Sequence, residues 1–231
     1  MTMKLFLLSN SKTFGLQYLE HAEKPIREFF GSIKSLLFIP YASADYSGYE
    51  TMVKGRFYEF GITVQSIHTA LDPVKAINES EAIFVGGGNT FLLLDTLYKN
   101  NLVQAIRERV LAGTPYMGSS AGTNIASPTI MTTNDMPIVY PPSFDSLHLV
   151  PFQINPHYID TDPTSKHMGE TREERLREFV NYNKKPVVGL REGSWITVIN
   201  NTYVLEGKNG GVLFEPNRNI IELAIGLDLP L

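Results

Sequence analysis

Residues 115–124 read Pro115-Tyr116-Met117-Gly118-Ser119-Ser120-Ala121-Gly122-Thr123-Asn124. A short apolar run breaks into small residues and then into a stretch able to start a helix, so a strand is expected over 115–118 with a sharp turn into a helix behind it. The turn matches G-x-S-x-G. Its glycines are needed because such an elbow crowds the backbone and strains the central residue, and only small neighbours let strand and helix approach closely. The Ser120 hydroxyl would then stand free at a helix N-terminus, with the Ala121 N–H pointing where an oxyanion forms. A Gly/Ser-rich turn without chemistry fits the bare motif too; the strand in front of it favours a nucleophile.

Outward from the elbow, short apolar runs alternate with amphipathic stretches, the pattern of βαβ units around a parallel sheet. Strands are expected at 4–8, 36–39, 62–67 and 82–85, and helices at 14–30, 49–60 and 91–111. In the first helix Leu16, Leu19, Ile26 and Phe30 share one stripe and Pro25 should kink or divide it. Asp72-Pro73 supplies an N-cap and a proline at the first helical position of a short helix. Unbroken apolar strands imply a sheet covered on both faces. After the elbow, 129–142 is rich in Thr, Pro and Asn and reads as a long loop over the sheet edge. A strand over 147–155 leads to Pro156-His157, Thr171-Arg172-Glu173-Glu174 is a capping box, and 186–190 resumes the sheet. The runs at 195–199, 202–205, 211–214 and 220–224 look like an antiparallel finish. No repeat or linker divides the chain, and residues 1–231 are expected to form one domain.

Composition narrows the functions open to such a fold. With 43% hydrophobic and 19% charged residues the chain is an ordinary globule, and a net charge of -4 without a Lys/Arg cluster argues against nucleic acid as a partner. Cysteine is absent, which removes disulfides, a thiolate nucleophile and Cys-ligated metal. The apolar run at the start is too short for a signal segment or a membrane span, so a cytoplasmic protein without membrane attachment is expected.

A serine nucleophile needs a base, and the histidines are His21, His68, His148, His157 and His167. His21, amid charges in the expected first helix, and His68, trailing a strand, read as surface residues. His157 follows a strand and is stiffened by Pro156, which puts it at a sheet end where sites of open α/β sheets assemble. The carboxylate that fixes its tautomer is either Glu192, between a strand and Gly193, or Asp135, in Asn134-Asp135-Met136-Pro137. Gly86-Gly87-Gly88-Asn89 closes the strand before the elbow strand; it is neither a dinucleotide fingerprint nor a Walker sequence, and it offers the Gly88 N–H as a second oxyanion donor beside Ala121. Asp160 and Asp162 after His157 lack any metal-ligand spacing, and neither metal nor cofactor is expected.

Taken in order, Leu8-Ser9-Asn10-Ser11, Val85-Gly86-Gly87-Gly88-Asn89-Thr90-Phe91, Ser119-Ser120-Ala121-Gly122, Thr132-Thr133-Asn134-Asp135-Met136-Pro137, Gln153-Ile154-Asn155-Pro156-His157, Gly169-Glu170-Thr171-Arg172-Glu173 and Glu192-Gly193 before Trp195 resemble the peptidase E (α-aspartyl dipeptidase) family across nearly the whole chain. The resemblance implies a flavodoxin-like three-layer α/β sandwich, its mostly parallel sheet covered on both faces and extended by antiparallel strands. It also implies hydrolysis of small acidic dipeptides with an N-terminal aspartate by Ser120, His157 and Glu192, in that chain order. Asp135 then becomes a binding residue, for instance for the substrate amino group. Arg191 stands where the resemblance leads one to expect proline. A desolvated aspartate side chain needs a cation or several donors, for which Arg172 leads, with Asn89 and Asn10 as neutral donors. A same-fold hydrolase for an aspartate polymer or a γ-glutamyl compound, and a non-catalytic protein holding a small anion, are the other readings.

Overall fold

The structure is a computed structural model that describes residues 2–166 and 168–229, so His167 lies outside the described residues. Five parallel strands, β1 (Lys4–Leu8), β2 (Ser35–Ile39), β3 (Thr63–Ser66), β4 (Ile83–Val85) and β5 (Tyr116–Ser119), form most of the larger sheet in the order β3-β2-β4-β5-β1. Side chains alternate across a strand, so each unbroken apolar run feeds two cores. Leu5, Leu7, Leu37, Ile39, Ile83 and Val85 face one side, and Phe6, Leu8, Leu36, Phe38 and Phe84 the other. Helices α1 (Glu23–Phe30) and α2 (Tyr46–Glu59) close the second face through Ile26, Phe30, Val53 and Phe57. The first face is closed by α3 (Pro73–Glu79), α4 (Thr90–Lys99), α5 (Leu102–Leu111) and the one-turn α6 (Ala121–Asn124). The result is the flavodoxin-like three-layer arrangement.

Two expected helices are shorter than their patterns. Phe14 is fully exposed and Leu19 sits at φ 59°, its N–H on the Ser11 carbonyl at 2.8 Å, so 14–19 is a looped turn and α1 begins only at Glu23. Pro25 falls in the first turn of α1, where its missing N–H leaves no bond unmade and no kink is needed. The 91–111 pattern is cut at Asn100-Asn101, Asn101 taking φ 55° between α4 and α5.

The remaining strands divide between two sheets. After α6 come β6 (Gln153–Tyr158), α7 (Arg172–Asn183), β7 (Val187–Arg191), β8 (Ser194–Ile199), β9 (Thr202–Gly207), β10 (Gly211–Phe214) and β11 (Ile221–Leu223). β8 pairs antiparallel with β1 and β9 with β8, extending the larger sheet as expected. The expectation that 186–190 resumes that sheet is corrected: β6 and β7 pair parallel in a separate four-stranded sheet, order β11-β10-β7-β6. Ile154, Val188, Leu190 and Leu213 pack this second sheet onto the first core, and Tyr158, Val187, Val212 and Phe214 receive Leu176 and Val180 of α7. The α7 N-terminus carries both halves of the Thr171/Glu174 capping box. The 129–142 loop is no edge cover; its Thr132 and Asn134 bond the Ile154 and Pro156 carbonyls at 2.9 and 2.8 Å, tying β6 down beside α6. Among the described residues no helix is long and apolar enough to cross a membrane.

Candidate active site

The order in which successive parallel strands are added to the larger sheet reverses between β2 and β4, and the loops leaving β1, β2, β4 and β5 open together at the strand C-terminal ends. They enclose a cleft of about 740 Å³ whose wall includes Lys12, Ser43, Gly87, Gly88, Ser120 and His157. Ser120 holds φ 53° and ψ -108°, a backbone region that a side chain rarely tolerates. The strain is enforced from both ends. A Cβ on Gly118 would lie 2.5 Å from the Gly122 carbonyl oxygen, and one on Gly122 would lie 2.1 Å from that of Val85. The Ser120 N–H is meanwhile tied to the Leu8 carbonyl at 3.1 Å.

His157 meets this serine from the second sheet. Its Nε2 is 2.9 Å from Ser120 Oγ, and its Nδ1 is 2.6 Å from Glu192 Oε1. His157 also has positive φ, 54°, at a register shift between Pro156 and Tyr158 that turns its side chain out of the regular β6–β7 ladder. Glu192 is 56% exposed, so its pairing with the imidazole contributes little stability, of order 0.2–1 kcal/mol for exposed pairs; its effect is on tautomer and ring orientation. Asp135, the rival for that position, is elsewhere: its Oδ2 accepts from Thr90 N at 2.7 Å, Thr90 Oγ1 at 2.6 Å and Thr133 Oγ1 at 3.1 Å, at the start of α4. Its Oδ1 has no partner among the described residues, and the residue lines the cleft.

Gly88 also lines the cleft, and its N–H donates to no group among the described residues. At φ 138°, with a Cβ that would stand 2.2 Å from the Ala42 oxygen, this position admits only glycine. Ala121 opens α6, where a first-turn N–H has no intrahelical acceptor. A residue that sequence reasoning missed, Tyr49, holds the Gly86–Gly88 loop in place. Its Oη accepts from the Gly87 N–H at 2.9 Å and lies 3.4 Å from Tyr18 Oη, and burial pushes both phenols above their ordinary pKa. No motif marks Tyr49; its position in the first turn of α2, after a strand that ends at the cleft, is the only sequence signal.

The three expected ligands differ in where their polar atoms go. The Asn10 amide donates to the Lys12 carbonyl at 2.6 Å and Thr13 Oγ1 at 3.3 Å while its oxygen accepts from Gly193 N at 2.7 Å, leaving no donor for a substrate. Asn89 caps α4 through Leu92 N at 3.0 Å and bonds the Met136 carbonyl at 2.8 Å, outside the cleft wall. Arg172 lines a neighbouring pocket with Asp160, Thr171 and Arg175, its Nη1 buried without a partner. Lys12 is the cation on the cleft wall among the described residues, and it makes no ion pair there. His21 is no surface residue: its ring nitrogens are buried, and burial first, then Lys208, lower its pKa. His68 is half-buried too, its Nδ1 2.7 Å from Ser66 Oγ. Arg191, just before Glu192, is gripped by Asp160 through two bonds of 2.7 Å and by Glu222, which anchors the end of β7.

An imidazole on the hydroxyl of a strained elbow serine, with a carboxylate behind the imidazole, is the equipment of serine hydrolases. The family model described as Peptidase family S51 matches residues 5–205, and the chain belongs to that family. It is 52% identical over 227 residues to "Peptidase E" of Streptomyces coelicolor, covering 98% of this chain and 93% of the relative. It is also 50% identical over 228 residues to "Probable alpha-aspartyl dipeptidase" of Drosophila melanogaster, covering 97% and 95%. A solved peptidase from an acI-B1 actinobacterium shares the fold at TM-score 0.70 and 17% identity over 99% of this chain and 97% of that one.

Proposed function

We propose that this protein hydrolyses dipeptides with an N-terminal aspartate, using Ser120, His157 and Glu192 as nucleophile, base and orienter. The observation that carries the reading is the 2.9 Å contact between Ser120 Oγ and His157 Nε2 at the floor of the cleft. The names of relatives about half identical to the chain favour an aspartyl dipeptide over an aspartate polymer, a γ-glutamyl compound or a non-catalytic anion site. Ser120 Oγ attacks the aspartyl carbonyl carbon as its proton passes to His157 Nε2, and the tetrahedral oxyanion takes hydrogen bonds from Gly88 and Ala121 N–H. The C–N bond breaks as His157 returns the proton to the leaving amine. Water, deprotonated by the same imidazole, then attacks the ester carbon, and as the C–Oγ bond breaks the imidazole returns the proton to Ser120 Oγ and aspartate is released.

Substrate charge fits the cleft wall. The free Oδ1 of Asp135 suits the substrate ammonium, and Lys12 is the cation that meets a substrate carboxylate, a role Arg172 would have to leave its own pocket to take. The chain works as one hydrolase domain over residues 1–231, in the cytoplasm, on small acidic dipeptides, without nucleic acid or membrane as a partner. Support for one unit is the contribution of β8 and β9, late in the chain, to the sheet begun by β1.

Steady-state hydrolysis of Asp-Leu tests the reading. Ser120→Ala should reduce turnover to background and abolish fluorophosphonate labelling; undiminished turnover would refute the nucleophile. Lys12→Ala should raise KM for Asp-X with Asn-X little changed, whereas that pattern from Arg172→Ala alone would transfer the role to Arg172.

A further inference from the structure

Three consecutive residues hold the three members of the proposed triad, each by a different group. The Leu8 carbonyl accepts from Ser120 N at 3.1 Å and from Thr123 Oγ1 at 2.6 Å, fixing the elbow. Ser9 Oγ accepts from the His157 N–H at 2.8 Å and donates to the Leu190 carbonyl at 2.8 Å. Asn10 Oδ1 accepts from the N–H of Gly193, the residue after Glu192, at 2.7 Å. Ser9 is wholly buried and Asn10 is 2% exposed, so none of this is surface decoration.

We propose that Ser9 is a positioning residue for His157, and that the Leu8-Ser9-Asn10 turn is the template on which the three groups come into register. The need for it lies in the backbone. At the register shift Pro156 pairs with Leu190 and Tyr158 with Arg191, so His157 between them has no ladder partner. Its N–H has Ser9 Oγ as its acceptor. The same hydroxyl donates to the Leu190 carbonyl, because it donates and accepts at once. By entering the bulge it ties the second sheet to the end of β1 at the residue whose imidazole must reach Ser120. Alanine would remove both bonds and leave the His157 N–H without its acceptor, so that His157 relaxes toward a regular strand and swings its ring off the serine.

The inference rests on Ser120 and His157 acting as nucleophile and base, so its assay should work without a dipeptide. Fluorophosphonate labelling of Ser120 reports the base–nucleophile geometry whether or not aspartyl peptides are the substrate. Ser9→Ala should slow labelling by about 10²-fold, the usual penalty for misplacing a reacting group by about 1 Å, and should lower kcat on Asp-Leu in parallel with KM little changed. Ser9→Cys keeps the volume and replaces the hydroxyl with a weak hydrogen-bonding thiol, which guards against a variant that does not fold. Ser9→Thr, which retains the hydroxyl, should recover most of the rate. Labelling at the wild-type rate in a folded Ala or Cys variant would overturn the proposal. So would a Thr variant as slow as the Cys variant, since packing rather than the hydroxyl would then set the rate.

Discussion

Replacing Tyr49 with phenylalanine removes one oxygen atom and isolates the contribution of the Gly86–Gly88 loop to oxyanion binding. The ring should stay, because it packs edge-on against Phe38 at 4.9 Å between centroids. What is lost is the acceptor for the Gly87 N–H. A fully buried orphaned N–H costs about 1–3 kcal/mol, at 1.4 kcal/mol per tenfold about 5- to 150-fold if the whole cost falls on the transition state. Gly87, half-buried on the cleft wall, lies toward the low end. Full loss of an oxyanion donor costs about 10²–10³ in kcat, which sets a ceiling, because Gly88 is displaced and not removed. A fall in kcat of about tenfold with KM nearly constant is therefore expected, since the ground-state carbonyl gains less from the hole than the oxyanion does. Stopped assays of aspartate release from Asp-Leu, with a melting curve to exclude unfolding, would measure it. Unchanged kcat in a folded Tyr49→Phe enzyme would show that the Gly87 peptide is not coupled to the oxyanion.

Other consequences of the geometry are equally direct. Glu192→Gln keeps the contact with His157 Nδ1 but permits the wrong tautomer, so kcat should fall by about 10²-fold or more while Tm barely moves; equal activity would return the orienting role to another group. Gly122→Ala forces a methyl against the Val85 carbonyl and should destabilise the protein by about 1–3 kcal/mol or more as well as displace Ser120, which denaturant titration together with labelling would reveal; a neutral result would refute the elbow geometry. Burial, and then Lys208, hold the His21 imidazole below its ordinary pKa against the opposing effects of the Asn10 backbone and Glu192, so the unfolded chain binds that proton more readily. Stability from this group is complete above the ordinary histidine range and is lost as pH falls through the lowered value. His21→Gln should flatten the decline in Tm between about pH 7 and about pH 5, with a residual slope from His148, which burial and Arg107 also hold down; superimposable pH profiles would sink the idea.

Sequence pattern exposed the fold where burial is two-sided. The apolar runs of β1, β2 and β4 have no polar face, and few other arrangements can accommodate them. It misled where local chemistry overrides periodicity. Leu16 keeps the helical spacing to Leu19 but stands exposed, because Leu19 turns the chain left-handed. The second sheet was hidden because β7 carries the same apolar pattern as the first sheet's strands, and nothing local says which neighbour a strand will choose. In the site, the elbow and the glycine loop were legible because steric demands leave a mark on residue type. Ser9 and Tyr49 were not, since a single hydroxyl gives no sign of a partner that is 148 or 38 residues away. Asn10 and Asn89 drew a substrate role from their chemistry, yet each amide is consumed by backbone groups nearby or across the site.

Because the Leu8-Ser9-Asn10 turn bonds to groups at positions 120, 157 and 193, the machinery spans almost the full order of synthesis. A nascent chain that has just completed β5 and α6 owns an elbow and no proton acceptor for it. Peptide-bond cleavage is thereby withheld until the last third of the polypeptide has docked, and the fold needs no detachable inhibitor segment to keep a half-made enzyme inert.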